Sequence, residues 1–444
     1  MFTTPDSSVF FGSGTRLKAH VLDGGSGARA LLDFYDSELE TQCNFVENAS
    51  GEYHCLPTQF AASYFDENCT EPALISAGAD TRAGMLVSVV SSNCEALIGP
   101  YSSAEELAVP RLYSLVSGHC LEFTISLPSA WTLKPEPLTR FASGALSVVG
   151  EEGEAQALRA TAEDGAYTNL SALDQGQPCI GIQFDQAERC VRTPFAHAMP
   201  DLYPNDKCSG GPELAYTTLR RTDSCAGRSA KRALVPSPRA CGSESTLRAV
   251  LDPISSVFQD NGSGNCSPLD PAYFAAAVYR MGEQVPSAEA PVLSSLIVGS
   301  GALTLGATAN RLGTPLTPSF FSDWRLESGE RCTRYQDPDG LTRCVPGIDV
   351  YPSTNTYADS NCTQQLAQTS PCGRAPSHVL EVEQDGLGKT VLLAARIAQP
   401  HTGPVYALQS GECQPFQGVG FSRFKGGAAV DLDTFPIITE ITER

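Results

Sequence analysis

The sequence predicts an all-β protein in which three diverged repeats close into a β-propeller-like ring of about six blades, braced by disulfides. Three observations predict it. Short alternating runs of β-branched and aromatic residues, punctuated by Gly, Asp and Asn, recur along the 444 residues, and long helical periodicity is scarce. An ordered pattern of cysteines and turn residues occurs three times. No convincing Ser/Pro-rich spacer divides the repeats, which tilts the choice away from the alternative, three β-sandwich domains in tandem.

Each repeat opens on a cysteine pair. Cys43 and Cys55 are 12 apart, Cys179 and Cys190 are 11 apart, and Cys332 and Cys344 are 12 apart. Between the cysteines of the outer copies lie Asn48-Ala49-Ser50-Gly51 and Asp337-Pro338-Asp339-Gly340, both hairpin-turn chemistry. A hairpin turn between two such cysteines places them across from one another on neighbouring strands, close enough to bridge. The expected disulfides are therefore Cys43–Cys55, Cys179–Cys190 and Cys332–Cys344.

Next comes an acidic or amide turn before another cysteine: Asp66-Glu67-Asn68-Cys69, Asn205-Asp206-Lys207-Cys208 and Asp359-Ser360-Asn361-Cys362. Further on, the outer copies carry Ser117-Gly118-His119-Cys120 and Ser410-Gly411-Glu412-Cys413, and the middle copy Ser263-Gly264-Asn265-Cys266. Gly-rich openings precede the repeats at Gly12–Leu17, Ser143–Val148 and Gly299–Thr304. The modules are placed at 12–142, 143–298 and 299–424. Residues 425–444 echo such an opening in Gly426–Asp433, and are read as a closing strand or one donated to another molecule. Ala155–Ala162 and Pro271–Tyr279 are read as two short helices.

The later cysteines are unequal. The middle module has Cys208, Cys225, Cys241 and Cys266, the first Cys69, Cys94 and Cys120, the third Cys362, Cys372 and Cys413. Any pairing within modules leaves one cysteine over in each outer module, which permits one bridge between modules 1 and 3. Connectivity beyond the three short loops stays open.

Composition excludes several classes. Fifty acidic against 30 basic residues give a net charge of −20, which repels nucleic-acid backbones and anionic lipid. None of the 16 cysteines forms C-x-x-C, so zinc-ribbon and thioredoxin-type sites are not expected. An even count at wide spacing points to disulfides in an oxidising compartment, hence an extracellular, periplasmic or cell-surface location. Met1–Asp6 has no signal-peptide character, so an export signal is expected to have been removed, and no apolar run is long enough to span a bilayer. An Arg-over-Lys skew with abundant Ala, Gly and Pro suggests a GC-rich, bacterial source.

The pattern of a C-[LV]-P step after the turn (Cys55-Leu56-Pro57, Cys344-Val345-Pro346) and of Y-x-D-x-N-C-T resembles cysteine-patterned exported proteins and lipoproteins of myxobacteria and their relatives. The middle copy departs from it, with Val191-Arg192 after Cys190. The resemblance implies an exported protein and brings no catalytic residues.

Motif chemistry is sparse. G-x-S-x-G, H-E-x-x-H, Walker and EF-hand patterns are absent from the sequence. The acidic turns offer Asp66, Asp206 and Asp359 as calcium candidates, against a structural reading as turns whose side chain bonds its own backbone. His54 and His119 sit beside cysteines where the third copy has Arg343 and Glu412, which reads as a solvent-facing strand position. His20, His197, His378 and His401 stand alone. Trp131 and Trp324 read as core or as a glycan platform. No cofactor is expected beyond a possible calcium ion. The expected function is non-enzymatic: an exported binding or surface-assembly protein for a protein or glycan partner, or for copies of itself. The alternatives are a secreted hydrolase with loop-borne carboxylates and a filament or array subunit assembled by strand donation.

Overall fold

A computed structural model describes residues 5–443 apart from 49–50, 62, 76–80, 90–98, 109–110, 117–118, 124–129, 185–186, 194–195, 199–201, 210–213, 217–231, 237–244, 255, 261–265, 270–277, 287–289, 351–355, 370–374, 385–389, 410 and 417–421. The described regular structure is strands, with 3-10 turns at Ser7–Val9, Leu138–Arg140 and Leu432–Thr434. Gln156–Ala162, expected to be helical, is a strand. Its alternating Ala157, Ala160 and Ala162 are buried beside polar neighbours, a half-buried strand rather than a helical stripe. The second expected helix is mostly outside the described residues, and its end lies in strand Val278–Val285.

Each module begins with a meander that joins a common frame. In the first module the strands are Leu17–Asp23, Arg29–Asp36, Thr41–Glu47 and Tyr53–Pro57. The second contributes Ser143–Val149, Gln156–Ala162, Tyr167–Asp174, Gln177–Phe184 and Ala187–Arg192. The third contributes Val292–Val298, Leu303–Asn310 and Pro315–Leu326, followed by the hairpin Thr333–Gln336 and Thr342–Val345. A 14-stranded sheet holds the first two sets, the first three strands of the third, the C-terminal strand Thr439–Thr442 and the short Phe11–Gly12. Bridges Arg325↔Arg331 and Arg343↔Ile437 carry the pairing on through the third module's hairpin to the C-terminal segment. That segment runs on as Thr439–Thr442 and pairs with Leu17–Asp23, so the backbone pairing returns to its start.

Separate propeller blades are therefore not what the described strands form. The last frame strand of one module hydrogen-bonds to the first strand of the next, whereas propeller blades are independent sheets. Tandem sandwiches are not formed either. One core gathers Leu17, Phe34 and Cys43 of the first module, Ala160 of the second, and Leu303 and Trp324 of the third.

The cores of the three hairpins are bridged by Cys43–Cys55, Cys179–Cys190 and Cys332–Cys344, with Cα–Cα distances of 5.1, 5.2 and 5.3 Å. Beyond the frame each module repeats a second element, three short strands clipped by a longer disulfide loop. The bridges are Cys69–Cys120, Cys208–Cys266 and Cys362–Cys413, closing separations of 51, 58 and 51. On the chain-entropy account each such loop is worth about 3–4 kcal/mol. Cys94, Cys225, Cys241 and Cys372 lie outside the described residues. The rest of each module is five strands in one order, with the first parallel to the third: Phe60–Ala61 with Leu86–Val89, Ala196–Ala198 with Arg232–Pro236, and Ile348–Val350 with His378–Gln384; in the second module the five close into a barrel.

The repeat is offset from the sequence reading in the middle module. Ser143–Val149 is a whole frame strand, equivalent to Val292–Val298, and the segment matching Gly12–Leu17 is the turn that follows it. These turns lock the modules cyclically. Thr15 donates to the Asp164 carbonyl, while Arg16 and Leu17 N–H groups donate to the Asp164 carboxylate. Ser300 N–H donates to Ser26 O, and the Asn310 amide donates to Ala155 O. Module 2 thus grips module 1, module 1 grips module 3, and module 3 grips module 2. Gly14 is required here: a Cβ would lie 2.2 Å from the Asp164 carboxylate.

Candidate functional sites at the module seams

An exported ring enzyme would place its chemistry where the modules converge. That place is filled by residues 5–12. Gly299 N–H donates to Pro5 O in module 3, Ser7 N–H donates to Gly27 O in module 1, and Asn169 N–H of module 2 donates to Phe10 O. The Arg159 guanidinium, also of module 2, donates to Val9 O. Phe10 and Phe11 are 1% and 3% exposed within the shared core. An apolar plug thus touches all three modules.

The seams between modules are the next concave places. At each one the residue before the second cysteine of the hairpin meets the start of the following strand. The register is Ser143↔His54, Arg189↔Val292 and Arg343↔Ile437. Cys55, Cys190 and Cys344 donate their N–H to Ala142, Pro291 and Pro436 O, each at 2.9 Å. The side chain just before the cysteine points into the seam. Arg189 donates to Ala290 O at 2.9 Å, and Arg343 donates to the equivalent Phe435 O at 3.3 Å. This position is not solvent-facing, as the His-to-Arg exchange suggested: His54 is 8% and Arg343 4% exposed. The sequence comparison saw polar side chains and could not see that the next module covers them.

The three seams differ in how well they close. At the third, Arg343 forms a buried pair with Asp337 at 2.6 Å and reaches Asp433 of the C-terminal segment at 2.7 Å. Burial alone would raise the Asp337 carboxyl, but the Arg343 guanidinium and the N–H groups of Leu341 and Asp339 outweigh it and hold the pKa low. At the second, a cleft of about 770 Å³ is lined by Glu152, Glu154, Asp174, Arg189 and Arg311. Its charges are largely answered within the protein, Arg311 by Glu154 and Asp174 by Arg192. At the first, a cleft of about 540 Å³ lies beside His54, whose Nδ1 is buried with no hydrogen-bond partner.

His20, which stands alone in the sequence, has close neighbours. Its Nδ1 is 3.0 Å from Asp33 and its Nε2 2.9 Å from Glu440 of the C-terminal strand. Burial pushes the Asp33 carboxyl up, His20 draws it down, and Glu440 adds to the rise, leaving it raised. The Asp33 contact is a cross-hairpin pair legible around the Gly24–Gly27 turn; Glu440 is 420 residues away and gave no signal.

The calcium candidates resolve into turn chemistry. Asp66 accepts from the N–H groups of Asn68, Thr70 and Glu71 and from the Thr70 hydroxyl. Asp359 accepts likewise from Asn361, Thr363 and Gln364. In the middle module the equivalent residue is Asn205, accepting from Lys207 and Ser209, while Asp206 is exposed beside it. An uncharged amide fills the same role, as an Asx-turn allows. No group of three His, Cys, Asp or Glu side chains placed to hold a metal occurs among the described residues. The following cysteines, Cys69, Cys208 and Cys362, all take the left-handed conformation, with φ of 54°, 45° and 52°. Phe34 and Trp324 occupy matching core positions, 0% and 1% exposed, so Trp324 is core and not a glycan platform. His378 packs edge-on against Phe435, with centroids 5.3 Å apart. His401 contacts Pro404 O, while the His119 and His197 side chains lie outside what is described.

No protein-family model matches the chain, and neither a curated protein nor a solved structure matches it. No helix among the described residues is long and apolar enough to cross a membrane.

Proposed function

We propose that this is an exported, non-enzymatic binding or surface-assembly protein: a disulfide-braced frame that presents three β lobes of one strand order to a protein or glycan partner. The observation that carries this is the apolar plug. Phe10 and Phe11 occupy the convergence of the modules, where a hydrolase built on such a frame would need an open, water-bearing cleft with facing carboxylates. A rigid repeated frame whose connecting loops vary between copies is the usual division between scaffold and recognition. Six disulfides among the described residues suit an oxidising exterior, and the resemblance to exported cysteine-patterned proteins points the same way.

The test is binding against turnover. Oxidised, fluorescently labelled protein is titrated onto intact bacterial cells and isolated cell-wall glycan, and in parallel incubated with polysaccharide, ester and peptide substrates. Saturable binding without product release is expected. Product release that survives repurification and is lost on substituting a named carboxylate would sink the non-enzymatic reading. Assembly by strand donation remains the second reading for the C-terminal strand. Its pairing with Leu17–Asp23 of its own chain favours a monomer, which sedimentation at rising concentration checks.

A further inference from the structure

The strand Ser143–Val149 forks away from the module before it. It pairs with Tyr53–Pro57 only through Ser143↔His54 and Gly144↔Tyr53. From Ala145 onward its pairing is with Gln156–Ala162 on the other side. The direction of the free groups follows from the register. Cys55 N–H donates to Ala142 O, so even-numbered residues of this strand turn their N–H and C=O towards the fork, and odd-numbered ones towards Gln156–Ala162. Leu146 and Val148 therefore present main-chain groups along the open edge.

Among the described residues this edge has none of the usual protection. Natural edges are blunted by Lys, Pro or a covering loop, whereas here the sequence is Ala145-Leu146-Ser147-Val148-Val149, exposed on both faces from Ala145 to Val148. Leu146 and Val148 are 45% and 53% exposed. By register Leu146 and Val148 match Ser295 and Ile297 of the equivalent strand Val292–Val298; Ser295 is polar and Ile297 half-buried, so the exposed apolar pair is particular to this strand.

The mouth of the fork is acidic: the cleft beside it is lined by Glu52 and Glu163 and by no Lys or Arg. At the far end Glu151 and Glu152 lie exposed, and Val148 shares a cleft with Arg189 and Arg311, the latter paired with Glu154. A second copy of this chain carries the same net charge of −20 and would be repelled. We propose that this edge accepts an extended segment of a different protein, basic and apolar in alternation, as an added β-strand. Main-chain hydrogen bonds to Leu146 and Val148 would give affinity, and Glu52 and Glu163 at the mouth of the fork would select cations. The inference deepens the binding reading above and rests on it.

Two synthetic peptides of about eight residues, alternating Lys-Val and Glu-Val, serve as probes, long enough to cover the edge. The Lys-Val peptide is expected to bind the native protein saturably, weakening with salt, and the Glu-Val peptide not at all. Val148→Pro removes an outward donor without touching the ladder to Gln156–Ala162. It is expected to weaken binding at least about tenfold with an unchanged Tm. Leu146→Lys, which places a cation on the edge, is a second variant expected to do the same. Failure of the native protein to bind the Lys-Val peptide overturns the proposal. So does binding unchanged in both variants, which marks general charge attraction. Cell-surface binding that survives Val148→Pro while peptide binding is lost leaves the edge proved and the partner elsewhere. Peptide binding without any cell-surface or glycan binding would instead remove the surface reading and keep the edge.

Discussion

The seam between modules 1 and 2 and the seam that returns from module 3 to module 1 are built on the same register, and in both the strands part after one or two residue pairs, yet only the last is latched by side chains. In both, the N–H of the second hairpin cysteine donates to the strand that follows. In the first, His54 leaves a buried nitrogen unpaired and the strands part after two residue pairs. In the last, Arg343 ties Asp337, Asp433 and Phe435 O together, and the chain continues into a strand across module 1. Glu443 adds to the latch through Arg29 and Ser13. The seam joining the two ends of the chain lacks a covalent connection between its modules, and it carries the buried Arg343–Asp337 pair and the Arg29–Glu443 bridge. The seams crossed by continuous chain tolerate gaps.

The harshest way to break this difference is truncation after Phe424. It deletes Phe435 and Ile438 from buried sites, removes the strand beside Leu17–Asp23 and strips the cover from Arg343. Two buried side chains at about 2 kcal/mol each, together with a newly uncovered ion pair, approach the whole stability of a domain. The truncated protein is expected to be insoluble or to melt far lower. An unchanged Tm would mean that the latch holds nothing.

Arg343→Ala tests the latch at one residue. It leaves Asp337 charged and 3% exposed without its partner. Breaking such a pair costs about 3–5 kcal/mol, measured by urea unfolding. The arm to Asp433 contributes little of this, because that carboxylate is largely exposed. Asp433→Ala should therefore cost under about 1 kcal/mol.

The opposite experiment upgrades the forked seam. His54→Arg places at seam 1 the side chain that donates to Ala290 O and Phe435 O at the other two. The equivalent acceptor is the Phe141 carbonyl. A gain of about 0.5–1.5 kcal/mol is expected from the new hydrogen bond and the removal of an unpaired buried nitrogen. A loss would show that the fork is too narrow or its surroundings too apolar for the longer side chain.

What the sequence revealed follows the range of the interactions. Hairpin disulfides and the Asn48 and Asp337 turns depend on residues about a dozen apart, and their residue types carry the geometry. Gly51 and Gly340 share a φ of +83° in matching turns. The ring contacts do not depend on type in that way. Asp164 grips Leu17 through backbone N–H groups that every residue has, so nothing in residues 15–17 announces it. Separate blades were expected because modules of this length hold two blades' worth of strands. The edge-to-edge pairing that rules blades out uses a two-pair ladder between His54 and Ser143, far too short to leave a pattern. The buried position before the cysteine was misread for a similar reason: polar residues look solvent-facing until the covering module is in place.

The smallest expected effect separates frame from clip. The clip turns carry Asp66 and Asp359 where the middle module has Asn205. For Asp66, burial pushes the carboxyl up, but donors from Glu71, Thr70 and Asn68 together hold it below 3.8. For Asp359 the Gln364 N–H leads the lowering. A folded pKa below the unfolded one stabilises the fold above the unfolded value, and that contribution is lost as pH falls through the folded value. Asp33 of the frame has the opposite sign. Its raised pKa means that ionisation costs stability at neutral pH; the cost declines as pH falls through the folded value and is gone below the unfolded one. Asp66→Asn should thus match the native protein at pH 7 within about 0.5 kcal/mol, because Asn and Asp serve such turns equally well. Below about pH 4 the variant should lose less stability than the native protein. Asp33→Asn should instead raise stability at pH 7 and gain nothing in acid. Urea midpoints across this range distinguish the two. A native profile as steep in Asp66→Asn as without it would place the acid sensitivity in the seams, with Asp337, and not in the clips.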